Sequence, residues 1–252
     1  MPTTELCQLL EWDSQFFGRT IGRINGHRLT PYDIAAINTW CADHAIECLY
    51  FLADSDHAET VRLAEDNGFR LVDMRVTLQC RITDWQARSV SERPREGCVR
   101  PALPSDLPVL QAIARRSHTD SRFYFDGCFP LETCGALYEM WITRGFEGQA
   151  DHVLVAELEG EPVGYFSCLK RGTQGQVGLV GMSEQAHGRG LGQYLTHEAM
   201  QWFSDHGVES VEVVTQGRNI AAQRLYQRCG FLVRSVQLWY HKWFVNCTSR
   251  EK

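Results

Sequence analysis

Residues 177–231 read VGLVGMSEQAHGRGLGQYLTHEAMQWFSDHGVESVEVVTQGRNIAAQRLYQRCGF, and this stretch decides the fold of the chain. An apolar run over 177–182 is followed by a glycine-rich turn. From Leu191, apolar residues recur at helical spacing as far as Gly207. Alternation over 209–215 predicts a strand, and 220–228 predicts a short helix that ends at Cys229-Gly230. The stretch therefore predicts strand, turn, helix, strand and helix.

The turn carries glycines at 188, 190 and 192, where the helix begins. Glycines at this place leave the first backbone N–H groups of the helix open. These donors, together with the positive end of the helix dipole, bind anions such as phosphate. A tight strand-to-helix turn without a ligand would use the same residues. The turn alone leaves both interpretations open.

Two motifs in this order resemble those of the GNAT N-acetyltransferase superfamily. They are Gln185-x-x-Gly188-x-Gly190 and Asn219-x-x-Ala-x-x-x-Tyr226-x-x-x-Gly230-Phe231. The resemblance implies an α/β (α+β) fold with a mixed central sheet, and acetyl-CoA as co-substrate. It also implies that the turn holds the pyrophosphate and that the preceding strand pairs with pantetheine and polarises the thioester carbonyl. The implied cofactor-binding residues are Val180, Gly181, Met182, Gln185, His187, Gly188, Arg189, Gly190, Leu191, Gly192 and Asn219.

Tyr226 is the implied catalytic residue, as the acid that protonates the departing thiolate. A phenol with an ordinary pKa of about 10 keeps its proton at neutral pH and can donate it. A packed aromatic on an amphipathic helix is the alternative for Tyr226, and Asn219 could act as an N-cap as well as a cofactor contact.

The proton acceptor is not evident from the sequence. Many relatives carry a glutamate on the strand before the turn, where this chain has Gly178. Either the amine arrives neutral, or water relays its proton to another group. The candidates for that group are Glu157, His118 and His152.

Composition narrows the class of protein. The 252 residues carry a formal net charge of −6, which argues against a nucleic-acid-binding surface. No apolar run approaches the roughly 20 residues that a membrane span needs, and no secretory signal is visible, so we expect a cytoplasmic protein. The 10 cysteines include no Cys-x-x-Cys pair, which predicts buried reduced thiols and no metal site.

The remaining elements follow from the same rules. The first half predicts two strands around a turn over 6–24, a helix over 31–44, a strand over 47–54, a helix over 57–67 and a strand over 69–82. The charged segment 89–97 is the predicted linker. The second half then predicts a strand over 98–103, a helix to residue 118, a loop over 119–130, a helix over 131–144, a hairpin over 152–170 and a last strand over 232–244. Because the 119–130 loop is strongly aromatic, we expect it to pack or to bind a ligand.

The two halves of the chain resemble each other. A shift of 162 positions, which takes Gly68 to Gly230, aligns the predicted helix, strand, helix and strand one for one. We therefore predict a truncated GNAT-like domain over 1–93 and a catalytic domain over 94–252, with chance similarity as the alternative. The first half lacks the residues for binding acetyl-CoA. The replacements are Arg28 for Gly190, Thr30 for Gly192, His57 for Asn219 and Ala64 for Tyr226.

A closer resemblance extends over nearly the full length. Glu11-Trp12…Phe16-Phe17-Gly18, Ser121-Arg122-Phe123, Tyr138-x-x-Trp141-Ile142, Val177-Gly-Leu179 and Thr215-Gln216…Asn219 look like segments of the TDP-fucosamine acetyltransferases. These bacterial enzymes acetylate TDP-4-amino-4,6-dideoxygalactose for enterobacterial common antigen, and the glycine at 178 fits this subfamily. The resemblance implies a nucleotide-linked amino sugar as acceptor. Arg122, Phe123 and Tyr124 suit its diphosphate and base. A loop packed on the core, with Arg122 in an ion pair, is the alternative.

Three functions remain open at this point. The first is acetyl-CoA-dependent acetylation of a nucleotide-linked amino sugar by direct transfer. The second is acetylation of another small-molecule amine, such as an antibiotic or a polyamine. The third is a regulatory module that binds acyl-CoA without turnover. A homodimer is compatible with each of them.

Overall fold

The computed structural model describes residues 6–88 and 96–247, and a ten-stranded sheet runs through both ranges. Its strands are β1 (Cys7–Leu9), β2 (Ile21–Ile24), β3 (Cys48–Asp54), β4 (Arg70–Arg81), β5 (Cys98–Pro101), β6 (His152–Leu158), β7 (Glu161–Arg171), β8 (Gln174–Met182), β9 (Ser210–Gln216) and β10 (Leu232–Trp243). They lie in the order β1-β2-β3-β10-β4-β9-β8-β7-β6-β5. The pairs β2–β3 and β8–β9 are parallel, whereas the other neighbours that pair are antiparallel. The predicted mixed sheet is confirmed.

Helices cover both faces of this sheet. They are α1 (Glu11–Phe17), α2 (Pro31–Asp43), α3 (Ala58–Asp66), α4 (Ile82–Gln86), α5 (Leu107–Ser117), α6 (Arg122–Asp126), α7 (Leu131–Arg144), α8 (Leu191–Asp205) and α9 (Ile220–Arg228). One apolar core packs α8 and α9 on the sheet, a second packs α5, α6 and α7, and a third packs α2 and α3. In the described ranges, no helix has the length and apolar character that a membrane crossing requires.

The two halves contain matching elements at the offset of 162. Cys48–Asp54 maps onto Ser210–Gln216, Ala58–Asp66 onto Ile220–Arg228, and Arg70–Arg81 onto Leu232–Trp243. Side-chain packing repeats as well. Trp40 stacks on His44 at 4.4 Å between ring centroids, and Trp202 stacks on His206 at 4.3 Å. The correspondence therefore holds for both backbone and packing.

The last strand of each half lies between two strands of the other half. β10 lies between β3 and β4, and β4 lies between β10 and β9. The registers agree, since Cys48 faces Trp243 and Ser210 faces Arg81. β4 and β10 pair around Arg75, which faces Gln237. An approximate two-fold axis therefore passes between these two strands.

The two halves differ in the length of chain next to their parallel strand pairs, β2–β3 and β8–β9. Ile21 faces Cys48 and Gln174 faces Ser210, yet Ile21 and Gln174 are only 153 positions apart, nine fewer than the offset. The parallel pairing of β8 ends at Gln176, but β8 itself continues to Met182. The first half therefore lacks a stretch equivalent to the unpaired end of β8.

Three local predictions are wrong. The turn expected within 6–24 is the helix α1, which ends where Gly18 adopts a φ of 62°; Trp12 and Phe16 stack one helical turn apart, with ring centroids at 5.2 Å. The 119–130 loop contains the helix α6, which ends at Gly127 with a φ of 84°. The helix α4 follows β4 where no helix was expected. Most of the predicted linker, residues 89–95, lies outside the described residues.

The expectation that every cysteine is a reduced thiol is also wrong. Cys128 and Cys247 form a disulfide, with Cα atoms 5.1 Å apart and 119 positions between them in sequence. Sequence spacing cannot reveal such a pair, because α6 and the end of β10 meet only in the folded chain. Of the other cysteines, Cys98 is half-buried and the rest are buried free thiols.

Candidate active site

A gap opens between β8 and β9. The two strands pair from Gln174 to Gln176 on β8, opposite Ser210 to Glu212 on β9, and then diverge. Beyond this point, no strand in the described part of the chain pairs with the edge of β8 that faces β9. Unpaired strand edges bind extended chains through their backbone groups.

A β-bulge lies where the gap begins. Phe166 faces Val180 and Cys168 faces Val177, so Gly178 and Leu179 together oppose Ser167. Ser167 Oγ accepts a hydrogen bond from Leu179 N at 2.6 Å, which satisfies the amide that the bulge displaces. Bulges of this kind bend a strand and redirect the residues after it.

Glycine is required at two positions of this strand. A Cβ at Gly178 would lie 2.6 Å from Ser167 Oγ, and one at Gly181 would lie 2.7 Å from the ring of Tyr165. No glutamate can therefore occupy position 178 without displacing Ser167. The departure from the glutamate of many relatives has a steric cause in the bulge.

The predicted contacts Val180 and Met182 lie on the open part of β8. Ser183 N donates to Val163 O at 2.8 Å, which fixes the alternation of this antiparallel pair. By that alternation, the backbone of Gly181 faces β7, and the amides of Val180 and Met182 face the gap. Both amides are therefore directed toward the place predicted for a ligand.

The glycine turn brings the predicted residues 185–192 to the start of α8. Gly188 has a φ of 75° and Gly190 a φ of 78°, and a Cβ on either would meet nothing within 4 Å. Space is therefore open in front of the turn, where the sequence predicts a phosphate group. Among the described residues, no side chain caps α8 at Gly190. Ser183 Oγ, just before the turn, is buried and has no partner among the described residues.

The remaining turn residues are placed as follows. Gln185 and His187 are exposed, and Leu191 is buried. Arg189 is exposed; it donates to Gln185 O at 3.0 Å and to Glu96 Oε2 at 2.7 Å. The side chain of Arg189 therefore braces the turn, while the backbone amides remain the predicted anion-binding feature.

The second motif lies beside the turn. Gly192 at the start of α8 meets Leu225 of α9, whose side chain would be 3.6 Å from an added Cβ. Asn219 caps α9, since its Oδ1 accepts from Ala222 N at 3.0 Å. Tyr226 is buried on the same helix, with its ring centroid 5.7 Å from that of Phe231. Burial raises the pKa of Tyr226 above its ordinary value, so its phenol keeps its proton at neutral pH.

The three proton-acceptor candidates already have partners. Glu157 accepts from Arg100 Nε at 2.7 Å. His118 Nε2 lies 2.9 Å from Tyr165 Oη, and burial lowers the pKa of His118 to about 4. His152 stacks on Trp202 at 5.2 Å, and burial lowers its pKa.

Asp73 on β4 is a further candidate for the site, and no sequence motif identifies it. It is 4% exposed, and burial raises its pKa to about 6 against the opposing effect of Arg218. Arg218 Nη1 lies 3.4 Å from Asp73 Oδ1 and also donates to Asp120 O. These contacts place Asp73 between the end of β9 and the segment that leads into α6. The sequence signal for Asp73 is a single acidic residue in a largely apolar strand. This strand belongs to the first half of the chain, which was expected to lack catalytic residues.

The predicted acceptor residue Arg122 lies in an aromatic box. Its guanidinium carbon is 4.0 Å from the ring centroid of Trp239, 4.4 Å from that of Tyr50 and 4.5 Å from that of Phe123. Phe123 is buried, and Tyr124 Oη donates to Arg115 O at 3.3 Å. Within the described ranges, no carboxylate lies within 4.0 Å of Arg122. The structural ion pair considered for Arg122 is therefore absent from this part of the chain.

A relay of polar groups fixes Arg122 from behind. Arg122 Nη1 lies 3.5 Å from His241 Nε2, and His241 Nδ1 lies 2.7 Å from Asp126 Oδ2. Burial lowers the pKa of His241 to about 4, so the ring is neutral. A neutral ring with Nδ1–H donating to Asp126 presents a lone pair to Arg122.

Known proteins resemble this chain in sequence. The model of the acetyltransferase (GNAT) family matches residues 114–231. A dTDP-fucosamine acetyltransferase of Escherichia coli O6:H1 is 29% identical over 96% of this chain and 100% of its own length. The spore coat polysaccharide biosynthesis protein SpsD of Bacillus subtilis is 27% identical over 57% of this chain and 50% of its own length.

Solved structures share the fold at low identity. A GCN5-related N-acetyltransferase from Sphaerobacter thermophilus superposes with a TM-score of 0.67 at 16% identity, over 97% of this chain and 78% of that one. A tandem GNAT protein from the clavulanic acid biosynthesis pathway gives a TM-score of 0.61 at 14% identity, over 91% of this chain and 77% of that one.

Proposed function

We propose that this chain, an acetyltransferase of the GNAT family, uses acetyl-CoA to acetylate the amino group of a nucleotide-linked amino sugar of the TDP-4-amino-4,6-dideoxyhexose type. The observation that carries the proposal is the gap between β8 and β9, with the open glycine turn at its end and Arg122 in its aromatic box. The full-length relative named a dTDP-fucosamine acetyltransferase supports the choice of acceptor.

The chain's own backbone binds the co-substrate. Amides of Val180 and Met182 pair with the pantetheine arm, and amides from His187 to Gly192 hold the pyrophosphate at the start of α8. When bound, acetyl-CoA supplies an activated acetyl group as a thioester. An amide at the open edge of β8 then polarises the thioester carbonyl, which favours direct attack by the acceptor amine.

Two side chains move protons in this proposal. Tyr226 stays protonated because burial raises its pKa, and its phenol donates to the departing thiolate. Asp73, with a pKa of about 6, is ionised at neutral pH and accepts a proton from the ammonium group of the acceptor. We choose Asp73 over the three candidates considered from the sequence because its raised pKa of about 6 suits a base that works at neutral pH.

The first half contributes no co-substrate site of its own in this proposal. It lacks the unpaired strand end that borders the gap in the second half. Arg28 stands where the second half has Gly190, and it forms an ion pair with Asp54 at 3.0 Å. The division into a truncated first domain and a catalytic second domain remains a proposal on this basis.

The test is thiol release with a panel of amines. We expect release from acetyl-CoA with a TDP-linked 4-amino sugar, and little with the corresponding free sugar, antibiotics or polyamines. Release with another amine alone would overturn the acceptor and retain the enzyme class. Tight acetyl-CoA binding without release for any amine would overturn turnover itself and favour a regulatory module.

A further inference from the structure

We propose that Arg75 and Arg122 together bind the diphosphate of the acceptor, so that the first half of the chain supplies part of the acceptor site. The inference rests on the proposed function, because it presumes a nucleotide-linked substrate. It adds a residue from β4 that neither the sequence motifs nor the gap between β8 and β9 identify.

Strand register puts the two arginines over the same face of the sheet. Arg75 faces Gln237 on β10, and Asp73 faces Trp239 two residues further along. Opposed residues of an antiparallel pair share a face, as do residues two apart, so Arg75 and Trp239 project from the same side. The guanidinium of Arg122 lies 4.0 Å over the Trp239 ring on that side. Burial lowers the pKa of Arg75, and the charge of Arg122 on the same face lowers it further.

Within the described ranges, neither arginine has the carboxylate partner that usually accompanies a guanidinium away from solvent. Arg75 Nε is buried without a hydrogen-bond partner in the described ranges. Neither Arg75 nor Arg122 has a carboxylate within 4.0 Å there. Such groups are normally paired, because an unpartnered buried donor costs stability.

Two of the three nearby carboxylates contact other groups, and the third does not contact the arginines. Asp73 lies beside Arg218 at 3.4 Å. Asp126 accepts from Trp243 Nε1 at 3.0 Å and binds His241 at 2.7 Å. The carboxylate of Asp13 lies more than 4.0 Å from the guanidinium of Arg122, so the two interact only through their charges. Burial raises the pKa of Asp13. The pair of arginines thus has an excess of positive charge that no neighbouring acid contacts directly.

A diphosphate fits this arrangement by charge and by geometry. Its oxygens accept paired N–H donors from guanidinium groups, which a rigid planar fork offers and a single lysine does not. Arg122 is held in place by its aromatic box and by His241, so little side-chain freedom is lost on binding. Two arginines at this place would select acceptors with a diphosphate over free amino sugars.

The probe for the test is thymidine diphosphate, measured by calorimetry against thymidine as the uncharged reference. We expect Arg75→Gln and Arg122→Gln each to weaken diphosphate binding about tenfold or more. Arg75→Lys should restore only part of the affinity, because it keeps the charge and loses the fork. Thymidine affinity should be the same in all variants, and acetyl-CoA affinity should not change.

Arg81→Gln is the matched control. Arg81 lies on β4, and its exposed ion pair with Asp84 contributes little to stability. Six residues separate it from Arg75, which is roughly 20 Å along a strand. Diphosphate affinity equal to that of the wild type is expected for this variant, with a cooperative thermal transition in each protein as the check of folding.

The outcomes separate the inference from the proposed function. If a TDP-linked amino sugar is acetylated but Arg75→Gln leaves its KM and the diphosphate affinity unchanged, Arg75 is a structural residue and the inference fails. If Arg75→Gln and Arg81→Gln weaken binding equally, the effect is general charge and the inference also fails. If the wild type binds the diphosphate through Arg75 yet acetylates no nucleotide-linked amine, the subsite stands and the proposed function fails.

Discussion

The ring of Tyr226 is fixed by packing in the core beside α8, with the residue 4% exposed and Phe231 next to it. A change to phenylalanine keeps the packing of the ring and removes only the hydroxyl group. We expect Tyr226→Phe to lower kcat by about 10²–10⁴-fold, with little change in acetyl-CoA affinity. Steady-state kinetics and calorimetry measure the two effects. Tyr240→Phe, which alters a buried tyrosine bonded to Glu65, is the control. Equal turnover in Tyr226→Phe and the wild type would exclude Tyr226 as the acid.

Asp73 makes a pH-dependent prediction. Burial raises its pKa to about 6, and a base works only in its deprotonated form. We therefore expect kcat/KM to rise as pH increases through about 6. Asp73→Asn should abolish this rise and lower kcat/KM at pH 7.5, whereas Asp84→Asn, which alters an exposed carboxylate after β4, should retain it. A wild-type profile that is flat from pH 5 to 7 would rule out Asp73 as the base.

The same pKa affects stability with a definite sign. A carboxyl whose pKa is higher in the folded than in the unfolded chain stabilises the fold while protonated, and this contribution is lost as pH rises through about 6. Retaining a charged Asp73 at neutral pH therefore costs free energy of folding. Such a cost at a buried position is typical of functional sites.

Single residues could be predicted from the sequence where a motif fixes their chemistry. Asn219 and the turn glycines belong to such motifs. In the structure Asn219 caps α9, and Gly188 and Gly190 have positive φ values. Asp73 and Arg75 could not be found in this way. They lie in the first half, and only the pairing of β4 with β9 and β10 brings them near the site proposed for the acceptor.

At the scale of the element, the ends of α8 provide a controlled comparison. Gly190 before the helix and Gly207 after it have φ values of 78° and 72°, and a Cβ on either would meet nothing within 4 Å. Valine is strained at both positions for the same backbone reason. We expect Gly190→Val to weaken acetyl-CoA binding far more than Gly207→Val, measured by calorimetry. Similar losses in the two variants would show that the turn acts only through stability.

Most elements follow from periodicity, and the misses have physical reasons. The bounds of α9 and α7 match the prediction, because apolar spacing and end signals agree there. The helices α1 and α6 have seven and five residues, too short to establish a helical period, and their aromatic residues contact distant parts of the core. The bulge at Gly178 was also not predictable, since it depends on Ser167 in the neighbouring strand.

At the scale of the molecule, the disulfide joins distant parts of the chain. Cys128 follows α6, which carries Arg122, and Cys247 follows β10. Closing a loop of 119 residues restricts the unfolded chain, so we expect Cys247→Ser to lower the free energy of unfolding by about 2–4 kcal/mol under oxidising conditions. Urea unfolding with and without a reductant measures this. Cys98→Ser alters a free half-buried thiol and keeps the disulfide, so its stability should depend on the reductant as that of the wild type does, whereas the stability of Cys247→Ser should not. Equal stability of the Cys247→Ser variant and the oxidised wild type would contradict the tether.

The exchange of last strands makes a prediction about the whole fold. β4 from the first half lies between β9 and β10, and β10 from the second half lies between β3 and β4. Neither half can therefore complete its part of the sheet alone, because a missing central strand leaves two unpaired edges and an open apolar core. We expect the fragments 1–93 and 94–252 to lack a cooperative transition when expressed singly.

Co-expression should restore a complex that unfolds cooperatively and binds acetyl-CoA. The first half, which lacks the cofactor motif, supplies β4 with Asp73 and Arg75, the proposed base and the proposed diphosphate contact. A fragment 94–252 that folds alone and acetylates the acceptor at the rate of the full chain would contradict both the structural and the functional part of this argument.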